Sequence, residues 1–545
     1  MNRYVFFALL LAGIAFRGLL LVRYDLVNGG DVDVYLADEG VVGLMGKHIL
    51  EGRALPVFFY GQAYLGALEA YCAALSFALF GVGFTSLRLV PLFFSLAVLA
   101  LVYRFAYLAY SVAAARWATA ITAIAPMYFL QWNLKARGGF VEHVALLFVV
   151  LVVFWRFYFR HDRRPSTAFG LGFASGIALW VNQLMVGYLA VLGALLAFST
   201  DRRHLGAVVA GLLAGSCLLI GYNLVHPLAT ARALGRKAIV LNRVPVEERD
   251  ENWVERGVAK RVDALGDGAA KLGLVFGVPP TSDVERLGLS RAVIEGGTLT
   301  GPRRALWALP VLVFGAAILI ALPRRGTAGW EPFGANHLVL LLLAVTFVVG
   351  YVSPRYMLPA YPLAAVALGS LAARLRGGRR ALVAAGVACV LVFNVASWVD
   401  APSASAQTEE ASSDRLLAFL EEKGLTRCYS AAPLYHLVFQ SKERVLLVPL
   451  QKDRYPEYDR TLEASAEVCY VFRDDQHKKR QHVALMDYLA ANRVTYESAS
   501  VGEYNVLWGF VPRAVLSREA IEKIREPRDP RVEVGSSPVS EETWT

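Results

Sequence analysis

Long apolar stretches alternate along the chain with short polar or basic segments. A stretch of about 17 to 25 mostly apolar residues forms a helix long enough to cross a hydrocarbon core of roughly 30 Å. Eleven such stretches lie near residues 4–22, 87–109, 112–130, 140–158, 166–181, 184–200, 205–225, 305–322, 335–352, 357–373 and 381–399. The pattern predicts an α-helical polytopic membrane protein with about eleven transmembrane helices.

Composition and charge agree with a membrane protein. Of the 545 residues, 56% are hydrophobic and 18% are charged, whereas soluble domains average roughly 25% charged residues. Residues 1–400 carry a net charge of +14 and residues 401–545 one of −4. The positive excess is typical of loops beside a bilayer, and the acidic tail argues against nucleic-acid binding. The five cysteines exclude a disulfide-dense scaffold.

Basic loops predict the orientation of the chain, because Lys and Arg collect on the cytoplasmic side. Basic residues follow four of the predicted spans, at 156–164, 202–203, 324–325 and 374–380. They share one side if the N-terminus is cytoplasmic and if Ser166–Thr200 forms two helices that turn at Asn182 and Gln183. We expect a protein of the cytoplasmic (inner) membrane with the loops 23–86 and 226–304 and the tail outside the cytoplasm.

The chain divides into a transmembrane domain, residues 1–400, and a predicted extracytoplasmic α/β domain, residues 401–526. Alternating helix and strand patterns predict the α/β class; they are Ser413–Lys423 (helix, ended by Gly424), Arg444–Leu450 and Val468–Phe472 (strands) and Lys478–Asn492 (helix). Residues 527–545 have a disordered composition, and Trp253–Leu274 has the periodicity of an interfacial amphipathic helix. Cys428 and Cys469 either pair or are buried free thiols.

An acidic segment after the first span carries the candidate chemistry. Its four carboxylates are Asp31, Asp33, Asp38 and Glu39. Carboxylate oxygens serve both general-base catalysis and the binding of hard cations, although a solvated acidic loop has the same composition. The segment continues through Tyr60-Gly-Gln62 to a second apolar helix, Leu65–Phe80. Tyr60 and Gln62 are therefore candidate cavity residues.

Two groups of motifs carry a family resemblance. The first is Asp38-Glu39, followed by Phe80-Gly-Val-Gly and Ser86-Leu-Arg88 before the second long span. The second is Arg355-Tyr356-Met-Leu-Pro-Ala-Tyr361-Pro at a late span. In this order they resemble the GT-C polyprenyl-linked glycosyltransferases, nearest to bacterial relatives of protein O-mannosyltransferases and aminoarabinose transferases. The resemblance covers roughly residues 1–400, and the Trp-Trp-Asp motif of oligosaccharyltransferases is absent from the sequence.

The resemblance implies a GT-C-like fold with outer juxtamembrane helices and transfer of a sugar from a polyprenyl-phosphate carrier to an acceptor at the extracytoplasmic face. The acceptor would be a lipid, a glycan or a protein. It also implies that Asp38 is the base, with inversion at the sugar, and that Glu39 orients Asp38 or binds a cation. A divalent cation is the candidate cofactor, with Asp38 and Glu39 as its candidate ligands.

Phosphate binding needs cations at the outer ends of spans, where a guanidinium suits phosphate oxygens. Arg355, with Tyr356 beside it, is the first candidate because its motif matches the family. Arg137 and Lys135 either bind phosphate or extend to the lipid headgroups. Glu142 and His143 lie just inside a span, where ionisable groups are costly and usually functional or paired, so Glu142 either pairs with Arg137 or lines a cavity.

A transporter or flippase of lipid-linked glycans is the alternative from another class. Transporters place ionisable residues near the middle of the bilayer, often in repeated halves, whereas here the charges gather at one face and the sequence has no internal repeat. An inactive scaffold is a third reading. Asp38→Asn separates them, because only the transferase requires this carboxylate for turnover.

Overall fold

The computed structural model describes residues 1–23, 32–199, 202–241, 272, 275–276, 334–350, 353–375, 377–399, 404–450, 454–473 and 480–511. It is mostly helical, with 71% of residues in helices. In chain order the helices are α1 (Arg3–Val22), α2 (Val32–Leu50), α3 (Leu68–Phe80), α4 (Phe84–Ala109), α5 (Val112–Ala123), α6 (Met127–Leu134), α7 (Phe140–Tyr158), α8 (Pro165–Val181), α9 (Met185–Ser199), α10 (Arg202–Gly215), α11 (Cys217–Val225), α12 (Ala229–Leu241), α13 (Ala335–Gly350), α14 (Ala360–Arg374), α15 (Gly377–Val399), α16 (Ala404–Glu422), α17 (Tyr435–Gln440), α18 (Pro456–Glu463) and α19 (Arg480–Ala491).

The strands are short and most of them follow α16. They are β1 (Phe58–Phe59), β2 (Gln62–Gly66), β3 (Arg427–Ser430), β4 (Leu446–Pro449), β5 (Cys469–Arg473), β6 (Thr495–Val501) and β7 (Tyr504–Val511). A 3₁₀ helix, Pro354–Met357, precedes α14.

The chain forms two compact units. The membrane unit consists of Met1–Val27, Gln62–Glu69 and Arg88–Pro402, and the second unit consists of Asn28–Gly61, Ala70–Leu87 and Ser403–Thr545. The second unit therefore joins the acidic segment, most of α3 and the C-terminal α/β residues.

Several helices of the chain are suited to a bilayer. Among the described residues, four helices are long and apolar enough to cross it by length and composition: Arg3–Val22, Phe84–Ala109, Phe140–Tyr158 and Pro354–Arg374. The pair α10 and α11, bent by 61°, would add a fifth if it forms one span. Shorter apolar helices, 10–17 residues long, include Pro165–Val181 and Met185–Phe198. The turn predicted at Asn182 and Gln183 is confirmed, because α8 ends at Val181 and α9 begins at Met185.

One predicted span differs in shape. The apolar stretch 112–130 is interrupted between α5 and α6 at Ile124–Pro126, where Pro126 removes a backbone donor. Carbonyl groups freed at such a break need partners inside a membrane. Arg17 donates hydrogen bonds to the carbonyl oxygens of Thr122 (3.1 Å) and Ala123 (2.7 Å). Asn394 donates to the carbonyl of Ile124 at 2.6 Å, and Tyr361 donates to the carbonyl of Ile121 at 3.2 Å.

The C-terminal residues form the predicted α/β domain. Its five strands lie in the order β4-β3-β5-β7-β6, with β3 parallel to β4 and β5 and β7 antiparallel to β5 and β6. Cys428 of β3 lies opposite Cys469 of β5, and the two form a disulfide. Gly424 follows the end of α16 and has a φ of +71°. Glycine tolerates this conformation, which is common just after a helix end.

Three expectations fall outside the described residues. They are the span 305–322, the amphipathic helix Trp253–Leu274 and the disordered segment 527–545. The count of eleven spans accordingly stays a prediction.

Candidate active site

The acidic segment is helical from Val32 onward, and its last two carboxylates have different surroundings. Asp38 and Glu39 lie on α2. The Asp38 side chain is 28% exposed, and one of its oxygens accepts a hydrogen bond from Nη1 of Arg454 at 2.8 Å. Glu39 is fully buried. The reading of this segment as a solvated acidic loop is therefore wrong for these two residues, because one is paired and the other is inside the protein.

A second carboxylate, Glu443, gathers donors at the far end of α2. It accepts hydrogen bonds from Nε2 of His48 at 3.0 Å, from Nη1 of Arg53 at 2.8 and 3.0 Å, and from the hydroxyl of Tyr458 at 2.8 Å. Lys47 completes the set with an ion pair. We call these five residues the Glu443 cluster. It joins α2 to the C-terminal residues within the second unit.

The Glu443 cluster has a clear electrostatic bias. Burial by itself raises the pKa of the Glu443 carboxyl, but hydrogen bonds from His48, Lys47 and Arg53 outweigh it and hold that pKa well below its usual range. Burial raises the pKa of the Tyr458 hydroxyl, and the charge of Glu443 raises it further. At neutral pH Glu443 is therefore an anion and Tyr458 a neutral donor to it.

Tyr60 belongs to an aromatic group in the same unit. Its hydroxyl lies 3.0 Å from Nδ1 of His48, and its ring stacks on Tyr455 with centroids 5.0 Å apart. These rings line a small cleft together with Tyr435 and Arg454. Tyr60 thus lies in this cleft of the second unit, and its role as a site residue stays a prediction.

The membrane unit holds the predicted phosphate-binding residues. The guanidinium carbon of Arg137 lies 4.8 Å from the ring centroid of Trp132, and that of Arg355 lies 5.7 Å from the same centroid. Arg355 also lies 5.5 Å from the Phe140 ring and 5.2 Å from the Tyr356 ring. We call these five residues the arginine–tryptophan cluster. The structure brings two of the four predicted phosphate residues, Arg137 and Arg355, together over one indole, with Tyr356 beside Arg355.

The backbone between α6 and α7 places this cluster. Gly138 and Gly139 have φ angles of +78° and +90°, which glycine adopts without strain. The N–H of Gly138 donates to Glu69 at 2.5 Å, and Asn182 donates to the carbonyl of Gly139 at 3.2 Å. Lys135, the fourth predicted residue, lies at the start of this connection and is 6% exposed.

The remaining candidates lie in the membrane unit. Glu142 and His143 are buried in the first turn of α7. Of the two alternatives for Glu142, the pair with Arg137 is not seen: Arg137 lies over the ring of Trp132, and the carboxylate of Glu142 has no hydrogen-bond partner among the described residues. The ring of His143 lies 5.7 Å from that of Tyr188. Gln62 accepts a hydrogen bond from the Tyr64 hydroxyl at 2.9 Å.

The carboxylates of the acidic helix are the expected ligands of a divalent cation. Within the described ranges, no group of three or more His, Cys, Asp and Glu side chains is arranged to hold a metal ion. Of the two expected ligands, Asp38 is engaged with Arg454. The described residues therefore do not form a cation cage around Asp38 and Glu39.

Sequence reasoning missed several residues of these clusters. Arg454 and Glu443 follow β4 and α17 and carry no local motif, since each meets its partners some 400 positions away in the chain. Trp132 was also missed. The sequence offered one signal of close packing against the acidic helix, the run Gly40, Gly43 and Gly46. Its spacing of three places glycines along one side of a helix.

Comparison with known proteins defines the class of fold. No protein-family model and no curated protein matches the sequence. ArnT, the aminoarabinose transferase of Cupriavidus metallidurans, matches in structure with 13% identity over 94% of this chain and 99% of its own, at a TM-score of 0.55. Its structure bound to undecaprenyl phosphate matches at 14% identity, with the same coverage and a TM-score of 0.52.

An archaeal structure matches as well. The oligosaccharyltransferase of Archaeoglobus fulgidus has 14% identity, covering 94% of this chain and 75% of its own, with a TM-score of 0.51. At such identities the likeness concerns the fold. The predicted fold class is confirmed: the chain is an integral membrane protein with a GT-C fold and a small C-terminal sheet domain.

Proposed function

We propose that this protein is a membrane glycosyltransferase that takes a sugar from a polyprenyl-phosphate carrier and gives it to an acceptor at the extracytoplasmic face. The observation that carries the proposal is the arginine–tryptophan cluster, because it concentrates one buried and one half-buried guanidinium group in a membrane protein. The fold supports it, since a structural neighbour was solved with undecaprenyl phosphate bound.

The arginine–tryptophan cluster suits the phosphate of a lipid carrier. A guanidinium that stacks on a ring uses its flat face, whereas it binds phosphate through the N–H groups at its edge, so the two interactions are compatible. Arg137 and Arg355 are 4% exposed and part-buried respectively, and low exposure strengthens the attraction for an anion. We assign these two arginines, with Lys135 and Tyr356, to the phosphate of the donor.

The acidic helix suits the other half of the reaction. An acceptor hydroxyl or amine attacks the anomeric carbon, its proton passes to the Asp38 carboxylate, and the bond to the phosphate oxygen breaks with release of polyprenyl phosphate. Attack opposite to the leaving phosphate inverts the anomeric centre. Glu39, buried beside Asp38 on α2, orients it. No step is assigned to a divalent cation.

The test is sugar transfer in proteoliposomes that contain a radiolabelled sugar on undecaprenyl phosphate. We expect the wild type to release polyprenyl phosphate and label an added acceptor extract, and Asp38→Asn to lose about 10²- to 10⁴-fold in rate, the usual contribution of a catalytic base. Asp487→Asn, an exposed carboxylate of α19, is the matched control. The same assay with and without EDTA measures cation dependence.

The alternative class gives the opposite result. If the wild type moves the labelled lipid between leaflets without cleaving it, and Asp38→Asn does the same, the protein is a transporter and the transferase proposal fails.

A further inference from the structure

Helix α2, which carries Asp38, packs along a helix of the C-terminal domain. A Cβ atom at Gly40 would lie 2.3 Å from the backbone nitrogen of His436, and one at Gly43 would lie 2.8 Å from the ring of Phe439. The step of three residues from Gly40 to Gly43 along α2 meets the step of three from His436 to Phe439 along α17. The two helices thus run in the same direction at a separation that only glycine permits.

The contact is fixed at the Asp38 end by Arg454. Its Nη1 donates to Asp38 at 2.8 Å, and its backbone N–H donates to the hydroxyl of Tyr435 at 2.9 Å. Its guanidinium carbon lies 5.4 Å from the ring centroid of Phe59. Arg454 is therefore held at its backbone and along its side chain, and its charged end is directed to one carboxylate oxygen.

The contact is fixed at the opposite end by the Glu443 cluster. Lys442 and Glu443 have φ angles of +54° and +67°, which are unusual for residues other than glycine and persist where the surroundings hold them. The bonds from His48 and Arg53 to Glu443 do so. Both ends of α2 are thereby tied to the C-terminal domain, and rotation or sliding of the helix would break ionic contacts.

We propose that the C-terminal domain is a positioning module for the acidic helix and that Arg454 is the positioning residue for Asp38. The inference rests on the proposed function, because it gives Asp38 a reaction to serve. A carboxylate on a helix can rotate about its side-chain bonds; the bond to Arg454 fixes one oxygen and thereby directs the other. Small displacements of a catalytic group cost up to about 10²-fold in rate.

The test compares Arg454→Met, Arg454→Lys and Arg444→Met in the full-length protein. Arg444 is the matched control, since it pairs with Glu421 at 2.9 Å in the same domain but on an exposed surface. For each variant, kcat, the KM for the undecaprenyl-phosphate-linked sugar and the melting temperature are measured. We expect R454M to lose roughly 10- to 100-fold in kcat with the donor KM and melting temperature of R444M, and R454K to recover part of the loss.

The outcomes separate the two proposals. If the wild type transfers no sugar, the proposed function fails and the role of Arg454 falls with it. If the wild type transfers sugar but R454M matches R444M in kcat, only the positioning role is overturned. It is also overturned if R454M lowers the melting temperature in step with kcat, or if R454K is as slow as R454M, because a structural contact would behave in that way.

Discussion

The two units use cations in different ways. In the membrane unit, Arg137 and Arg355 lie over the ring of Trp132. In the second unit, Lys47 and Arg53 donate to Glu443. A ring attracts a cation without cancelling its charge, whereas a carboxylate neutralises it.

This difference separates ligand binding from stability. Cations stacked on rings in a low-dielectric environment still attract an anion strongly. Cations around a buried carboxylate are required to compensate it, and removal of one partner leaves an uncompensated charge. We therefore expect the membrane unit to bind a phosphate and the ionic contacts of the second unit to hold its own helices in place.

The largest expected effect on ligand binding tests the membrane side of this comparison. We expect Arg355→Met and Arg137→Met each to weaken binding of undecaprenyl phosphate by about 10- to 100-fold, because a hydrogen bond to a charged group contributes about 1.5–3 kcal/mol. Binding is measured as the Kd of the purified protein in lipid nanodiscs. The melting temperature should change little.

Arg374→Met is the control for both variants. Arg374 also lies over a ring, that of Tyr110 at 5.2 Å, but it falls in a predicted cytoplasmic loop. If R374M weakens binding as much as R355M does, general charge rather than the arginine–tryptophan cluster attracts the phosphate.

The second effect tests the other side of the comparison through stability. Glu443→Gln should destabilise the second unit by about 3 kcal/mol at pH 7, the usual cost of leaving buried partners uncompensated. The pKa of Glu443 is lowered in the folded protein. The charge of Glu443 therefore stabilises the second unit fully above the ordinary glutamate pKa of about 4.3, and this contribution is lost as the pH falls below that value.

The measurement is hydrogen exchange of α2 and the sheet domain across this pH range. The wild type should approach E443Q as the pH falls, while Glu421→Gln, which alters an exposed pair, should resemble the wild type throughout. A gap between wild type and E443Q that stays constant with pH would show that the charge of Glu443 is not what stabilises the unit.

Local patterns predicted the helices well and the clusters only in part. Apolar runs predicted most helices of the membrane unit, and the polar pair Asn182-Gln183 predicted a turn. Both predictions depend only on residues within or beside the element itself. The break at Pro126 was missed because its freed carbonyls are compensated by residues distant in sequence, such as Arg17 and Asn394.

The same limit explains the candidate site. Arg355 and Tyr356 were found through a short motif, but Trp132 was not, since no spacing in the chain connects them. The pairing of Asp38 with Arg454 spans 416 positions. The alternative in which Glu142 pairs with Arg137 is not seen, because closeness in sequence does not bring the two charges together and the guanidinium lies over an aromatic ring instead.

The smallest expected effect sharpens the comparison, because it measures what one neutral hydrogen-bonding group contributes to the stability of the membrane unit. The Tyr361 hydroxyl donates to the carbonyl of Ile121 and accepts from Asn394 at 2.8 Å. Tyr361→Phe should cost about 1 kcal/mol of unfolding free energy, read as a small fall in melting temperature in one detergent with no change in the Kd for undecaprenyl phosphate.

Tyr107→Phe is the control for this variant, because it removes a hydroxyl from a 42% exposed side chain of the same unit and should have no effect. If Y361F is as stable as Y107F, then Arg17 and Asn394 alone hold the broken helix, and a charged group is as important to stability in the membrane unit as it is in the second unit.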